Sequence, residues 1–285
     1  MSHTQGRGRG EARVLAPAGV KREAKKGQRR GRATARVPAP AEVLDSVLTS
    51  EQVILDRIPL QIDRDEVLRF QGYKKKIDHP TAEVLDLYEA ALAEGRRLMA
   101  PTVVYRSAEV AKTDDHLIAL QDGTELRIPE IGRFWGEIDA VGIGISTIGD
   151  GVERRVGELF DAREFPLAVM LDSVGSAAVE CLAEWVNDFL CQLALPDLKV
   201  TNRISPGYAG WDVAEQQALF CLCPGDRVGI TLNDYAMMIP LKSISFLVGI
   251  GPRASVDHYF TQCRRCWMPD CSYRRAPART SISSA

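Results

Sequence analysis

The helical pattern from Ser173 to Leu195 limits the possible folds more than any other stretch of the chain. Val174, Ala178, Cys181, Leu182, Trp185, Phe189 and Leu193 recur at helical spacing as one apolar stripe, while Glu180, Glu184 and Asp188 follow one another at i, i+4. Such a stripe has to be covered by another layer of structure. Pro196 ends the pattern, and the chain soon reaches the Gly/Pro turn Arg203-Ile-Ser-Pro-Gly-Tyr208-Ala-Gly-Trp211.

In that turn Gly207 and Gly210 carry no Cβ, so backbone groups can approach a ligand closely, and Pro206 restricts the loop. Arg203 offers a planar fork matched to a carboxylate. Tyr208 and Trp211 offer ring faces that suit an adenine ring or a sulfonium cation. The same residues also suit a plain Pro-Gly turn whose Tyr and Trp belong to the core.

Around these two features the periodicities change without a regular βαβ alternation. Glu42–Leu48 reads as a short helix and Ile54–Ile62 as an extended segment. Asp63 reads as the cap of a helix running toward Phe70, and Thr81–Met99 as an amphipathic helix stopped by Pro101. Val103–Tyr105, Leu117–Leu120 and Leu126–Ile128 are strand-like, with Asp122-Gly123 as the turn between the last two. Ile138–Ile148 alternates β-branched with small residues, as a strand does when another element packs close. A helix follows over Glu153–Ala162, and Phe165–Leu171 fits helix or strand equally. Ala214–Cys223 reads as helix, and Val228–Leu232 and Ile244–Ile250 as strands. The order predicts an α+β fold with a mixed or antiparallel sheet. Its expected organisation is a disordered basic tail over 1–40, a helical and β segment over 41–135 packing on a main domain over 136–252, and a cysteine-containing tail over 253–285.

The net charge of -2 hides an asymmetry. Residues 1–40 hold eleven Lys/Arg against Glu11 and Glu23, or +9, which leaves -11 on the remainder. That head has almost no large apolar residue and is expected to stay disordered, either as a solvated tail or as a basic arm. No aromatic interleaves its basic residues, so nucleic acid is disfavoured as a partner. No apolar run reaches membrane-span length and no secretory signal is evident, so a cytoplasmic location without a membrane partner is expected. Seven cysteines, three of them within nine positions, point to metal ligation in a reducing compartment.

Three segments carry a family resemblance. Leu171-Asp-Ser-Val-Gly-Ser176, Arg203-x-x-Pro-Gly-Tyr208 and Ile239-Pro-Leu-Lys-Ser-Ile-Ser245 occur in the order and approximate spacing of the activation domain of cobalamin-dependent methionine synthase. The chain resembles a free-standing form of that domain over roughly residues 56–251. The resemblance implies a C-shaped α+β domain with a twisted, mostly antiparallel sheet flanked by helices, binding S-adenosylmethionine in a shallow groove. It also implies a part in methionine synthase activity: an electron donor reduces cob(II)alamin, and methyl transfer from S-adenosylmethionine traps the product as methylcobalamin. Arg203 would then hold the ligand carboxylate, and Tyr208 would stand near the sulfonium or the cobalamin face. Pro206, Gly207, Ala209 and Gly210 would shape the loop, with backbone contacts from Ala209 and Gly210, and Glu184 of the acidic line would meet the amino group. None of the four histidines lies in an Asp-x-His-x-x-Gly signature, so cobalamin is expected on a partner corrinoid methyltransferase.

Cys263-x-x-Cys266-x-x-x-x-Cys271 supplies three thiolates, where a closed zinc or cluster site takes four ligands. An iron-sulfur cluster would suit a protein whose partner must receive an electron, and a structural zinc would pin the tail. The competing functions are a non-catalytic metal-binding adaptor and a nucleic-acid-binding protein. An ordinary methyltransferase is disfavoured, because no strand-linked Gly-x-Gly-x-Gly loop is present.

Overall fold

The computed structural model describes residues 46–257, except 76 and 209. Strand β1 is Val53–Asp56, shorter than the extended segment expected through Ile62, because Arg57 turns left-handed. The helix expected over Glu42–Leu48 falls mostly outside the described residues, and residues 46–48 are not helical. Helix α1 (Arg64–Phe70) starts where Asp63 predicts: its Oδ1 accepts the Asp65 N–H at 2.9 Å. Helix α2 (Ala82–Leu98) turns Tyr88, Ala91, Leu92 and Gly95 inward.

Strand β2 (Thr102–Thr113) is far longer than the three residues legible in the sequence. Its second half is half-exposed and polar, so it lacks an apolar alternation. Strands β3 (Leu117–Leu120) and β4 (Glu125–Arg127) form the expected hairpin, with Gly123 left-handed in the turn. Helix α3 (Ile131–Trp135) has no counterpart in the sequence reading. Strand β5 (Ala140–Thr147) and helix α4 (Gly151–Asp161) follow as expected.

Helix α5 (Phe165–Ala194) settles the ambiguity at Phe165–Leu171 in favour of helix. By length and composition α5 could cross a bilayer, but its apolar side is occupied by the sheet and by α1, α2 and α4. After it come β6 (Lys199–Val200), which the sequence reading missed, and α6 (Gln216–Leu222), entered through a 3-10 turn at Val213–Glu215. Only Thr231–Leu232 (β7) of the strand expected over Val228–Leu232 is extended, because a 3-10 turn at Asp226–Val228 and left-handed Gly229 come first. β7 pairs with β8 (Met238–Ile239), and β9 (Ser243–Gly251) closes the order.

The result is an α+β fold with a strongly curled antiparallel sheet flanked by helices. Among the described residues the sheet runs β4-β3-β2-β5-β9-β6, and β1 adds to β2. β2 pairs with β5 from Thr102↔Thr147 to Glu109↔Ala140, so the segments before and after residue 136 share one sheet. One face packs on α1, α2, α4 and α5, and the other packs on α3, α6 and the connecting loops.

The small residues of β5 serve this packing. Val141, Ile143 and Ile145 enter one core, while Gly142 and Gly144 leave the opposite face bare. Tyr105 and Phe246 flank Gly144 in register on the two neighbouring strands. Their rings fill the space over the glycines: a β-carbon at Gly142 would stand 2.6 Å from the Tyr105 hydroxyl, and one at Gly144 would collide with the Phe246 ring. The close-packing element foreseen for Ile138–Ile148 is therefore a pair of aromatic rings. The Tyr105 hydroxyl, buried with its ring, donates to the Val47 carbonyl at 2.7 Å.

Candidate functional site

The Arg203–Trp211 loop is anchored at both ends and open in the middle. Ile204 is buried and exchanges two backbone hydrogen bonds with Leu247 of β9, at 2.9 and 2.8 Å. Trp211 is buried in the same core, so its ring anchors the loop and offers no face to a ligand. Between these anchors Gly207 donates to the Trp211 carbonyl at 2.8 Å, and Trp211 donates to the Tyr208 carbonyl at 2.9 Å. Gly207 and Gly210 have φ of 89° and 81°, a left-handed geometry that a side chain would strain. Pro206 is buried, whereas Gly207, Tyr208 and Gly210 face outward and Tyr208 is 43% exposed. Ala209 lies outside the described residues.

Arg203 is fixed from two directions. Its backbone N–H donates to Asn187 Oδ1 at 2.8 Å, and its guanidinium meets Glu180 Oε2 at 2.7 Å. Both partners come from α5 and both ion-pair side chains are mostly buried. Glu184, the carboxylate favoured by sequence position, lies one turn further along α5 and is exposed. Asn187 was not foreseen. Its carboxamide also donates to Cys191 Sγ at 3.4 Å, so one side chain ties the loop to α5.

The third segment of the resemblance closes on the same helix. Lys242 places its Nζ 2.7 Å from Asp172 Oδ1 and 2.9 Å from Ser176 Oγ. The segments 171–176, 203–208 and 239–245, far apart in the chain, thus meet along α5. Polar side chains make both junctions, Arg203–Glu180 at one and Lys242–Asp172/Ser176 at the other.

Beside this strip stands an apolar ridge that sequence reasoning did not single out. Tyr235, Met237, Ile239 and Leu241 are 81%, 49%, 49% and 55% exposed. They alternate with less exposed residues, Ala236 being buried, along the turn and the two-residue strand β8. The turn that presents them is held by Asn233, whose Oδ1 accepts the N–H groups of Tyr235 and Met237, both at 3.0 Å. Gln216 of α6 pins the turn from below through its bond to the Ala236 carbonyl at 2.6 Å, and accepts from Ser245 Oγ at 2.7 Å. Period-two apolar residues at 235–241 were the available signal.

Cys263, Cys266 and Cys271 lie outside the described residues. Among the described residues no group of three or more His, Cys, Asp or Glu side chains could hold a metal ion. Of the cysteines described, Cys221 is exposed and Cys223 is buried, and burial pushes the Cys223 thiol up to about 11.

No protein-family model and no curated protein matches this sequence. Among solved structures the chain is similar to the MetH reactivation domain crystallised with AdoHcy, S-adenosylhomocysteine. The two share 13% sequence identity at a TM-score of 0.56, over 76% of this chain and 82% of that one. At that identity the likeness concerns the fold.

Proposed function

We propose that this protein binds S-adenosylmethionine between α5 and the Arg203–Trp211 loop and supports reductive methylation of cob(II)alamin on a partner corrinoid methyltransferase. The observation that carries the proposal is the convergence of the three segments on α5, with Arg203 anchored by Asn187 and Glu180 and Tyr208 exposed in the same loop. A zwitterionic amino acid end needs one cation and one anion close together, and Arg203 and Glu180 supply them. The guanidinium is a planar fork of donors, the geometry that a ligand carboxylate accepts from. Glu180, or Glu184 one turn on, would accept from the ligand amino group. Tyr208 would cover the sulfonium with its ring.

In the reaction the substrate cob(II)alamin takes one electron from a donor, and its cobalt then takes the methyl group, releasing S-adenosylhomocysteine. The protein's part is to hold the methyl donor and present it to the cobalt. The ridge at Tyr235–Leu241 supports a macromolecular partner, because a cluster of exposed apolar side chains bordered by polar ones is typical of an interaction surface. Calorimetric titration with S-adenosylmethionine and S-adenosylhomocysteine tests the binding step. Methylation of cob(II)alamin on methionine synthase, assayed with a one-electron reductant, tests the second. Absence of binding by either ligand removes the proposal.

A further inference from the structure

We propose that Asp172, held by Lys242, receives the ribose hydroxyls of the nucleoside half of the ligand. This inference rests on the reading of the Arg203 loop given above and gives α5 a second polar clamp.

The Lys242–Asp172 pair differs from an ordinary surface ion pair. The Lys242 side chain is 14% exposed, whereas Asp172 is 49% exposed. The lysine is therefore enclosed while the carboxylate it holds still faces outward. Its stem crosses α5 at Gly175, where a β-carbon would stand 3.3 Å from Lys242 Cε and 3.0 Å from Val152 Cγ1. A glycine inside a 30-residue helix is unfavourable relative to alanine, and here it provides the notch through which the lysine passes. Glu153, the acidic neighbour on α4, is engaged elsewhere, since its Oε2 accepts the Leu241 N–H at 2.8 Å. Lys242, itself steadied by Ser176 Oγ, thus fixes Asp172 Oδ1 and leaves the other carboxylate oxygen as an acceptor.

Spacing connects this carboxylate to the other clamp. Asp172 and Glu180 are eight residues apart on α5, about 12 Å along its axis. The carboxylate carbon and the ribose 3′-oxygen of an S-adenosyl ligand are eight bonds apart, about 10 Å when extended. A ligand whose amino acid end lies on Arg203 and Glu180 and which runs back along the helix brings its vicinal diol to Asp172. A carboxylate is the group that dinucleotide-binding folds place on ribose hydroxyls, for the same reason: it accepts from the diol.

The test compares binding of S-adenosylhomocysteine and of its 2′-deoxy and 3′-deoxy analogues to the full chain, with circular dichroism as a check on folding. The wild-type protein should prefer the ribose ligand by about tenfold, one charge-assisted hydrogen bond, over at least one analogue. Asp172→Ala should abolish that preference. Lys242→Ala should reduce the preference, and Lys242→Arg should restore it. Should Asp172→Ala prove unfolded, Asp172→Asn keeps the shape and should show the same loss of preference. A preference that survives these Asp172 variants, or no preference in the wild type, overturns the inference and leaves the Arg203 reading standing. No binding of any S-adenosyl ligand by the wild type overturns both.

Discussion

Arg203 is the residue on which the ligand reading turns. Arg203→Ala removes a cation from a pair that is mostly buried, and should weaken S-adenosylhomocysteine binding by about 1.5–3 kcal/mol, the usual worth of a charged hydrogen bond. Calorimetry on the variant measures this, and unchanged affinity removes Arg203 from the site. The loss on the ligand side should exceed any loss of thermal stability, since Ile204 and Trp211 hold the loop independently. Gly144 makes the opposite prediction. Gly144→Ala drives a methyl group into the Phe246 ring and should destabilise the fold by about 1–3 kcal/mol or more, read as a lower denaturation midpoint. Reactivity toward thiol reagents should also divide cleanly. Exposed Cys221 should be alkylated at pH 8 well before buried Cys223, whose thiol is raised to about 11, and peptide mapping by mass spectrometry gives the order.

At the scale of elements, α5 is the common wall. It buries one side against the sheet and the neighbouring helices, and presents Asp172, Ser176, Glu180 and Asn187 to the loops that return over it. The β7–β8 hairpin is the second functional element proposed. Replacing Met237 and Ile239 together by serine should leave the melting temperature and ligand affinity nearly unchanged, because both side chains already face water. Binding of the variant to cobalamin-loaded methionine synthase, followed by surface plasmon resonance, should fall by at least tenfold if those side chains are central to the contact. Equal binding by variant and wild type would move the docking surface elsewhere.

For the whole molecule, the buried acids set an alkaline limit. Burial raises Cys223 from an ordinary 9.0 to about 11, and burial also raises Tyr105 above its ordinary 10.0. In each case the folded state keeps a proton that the unfolded state gives up, so stability holds below pH 9 and declines as pH rises from there through 11. Denaturation midpoints at pH 7, 9 and 10.5 should be level between the first two and lower at the third. Some of this architecture is legible locally. The Asp63 cap, the Asp122-Gly123 hairpin, the apolar stripe of α5 and the glycine alternation of β5 each record a rule that acts over a few residues. So does the Gly207–Tyr208–Gly210 loop, whose left-handed turns need those glycines wherever the loop sits. The second half of β2, the two-residue β6 and the short α3 were not legible, because their conformation comes from partners distant in the chain. The same holds for the identity of the carboxylate on Arg203. Helical spacing allowed Glu180, Glu184 or Asp188, and the placement of the loop against α5 by the Ile204–Leu247 bridge and Asn187 paired Glu180 with Arg203. Trp211 shows the same division: the sequence alone determined that a tight turn with two aromatic rings stands here, and only tertiary packing decided which ring is buried and which is exposed.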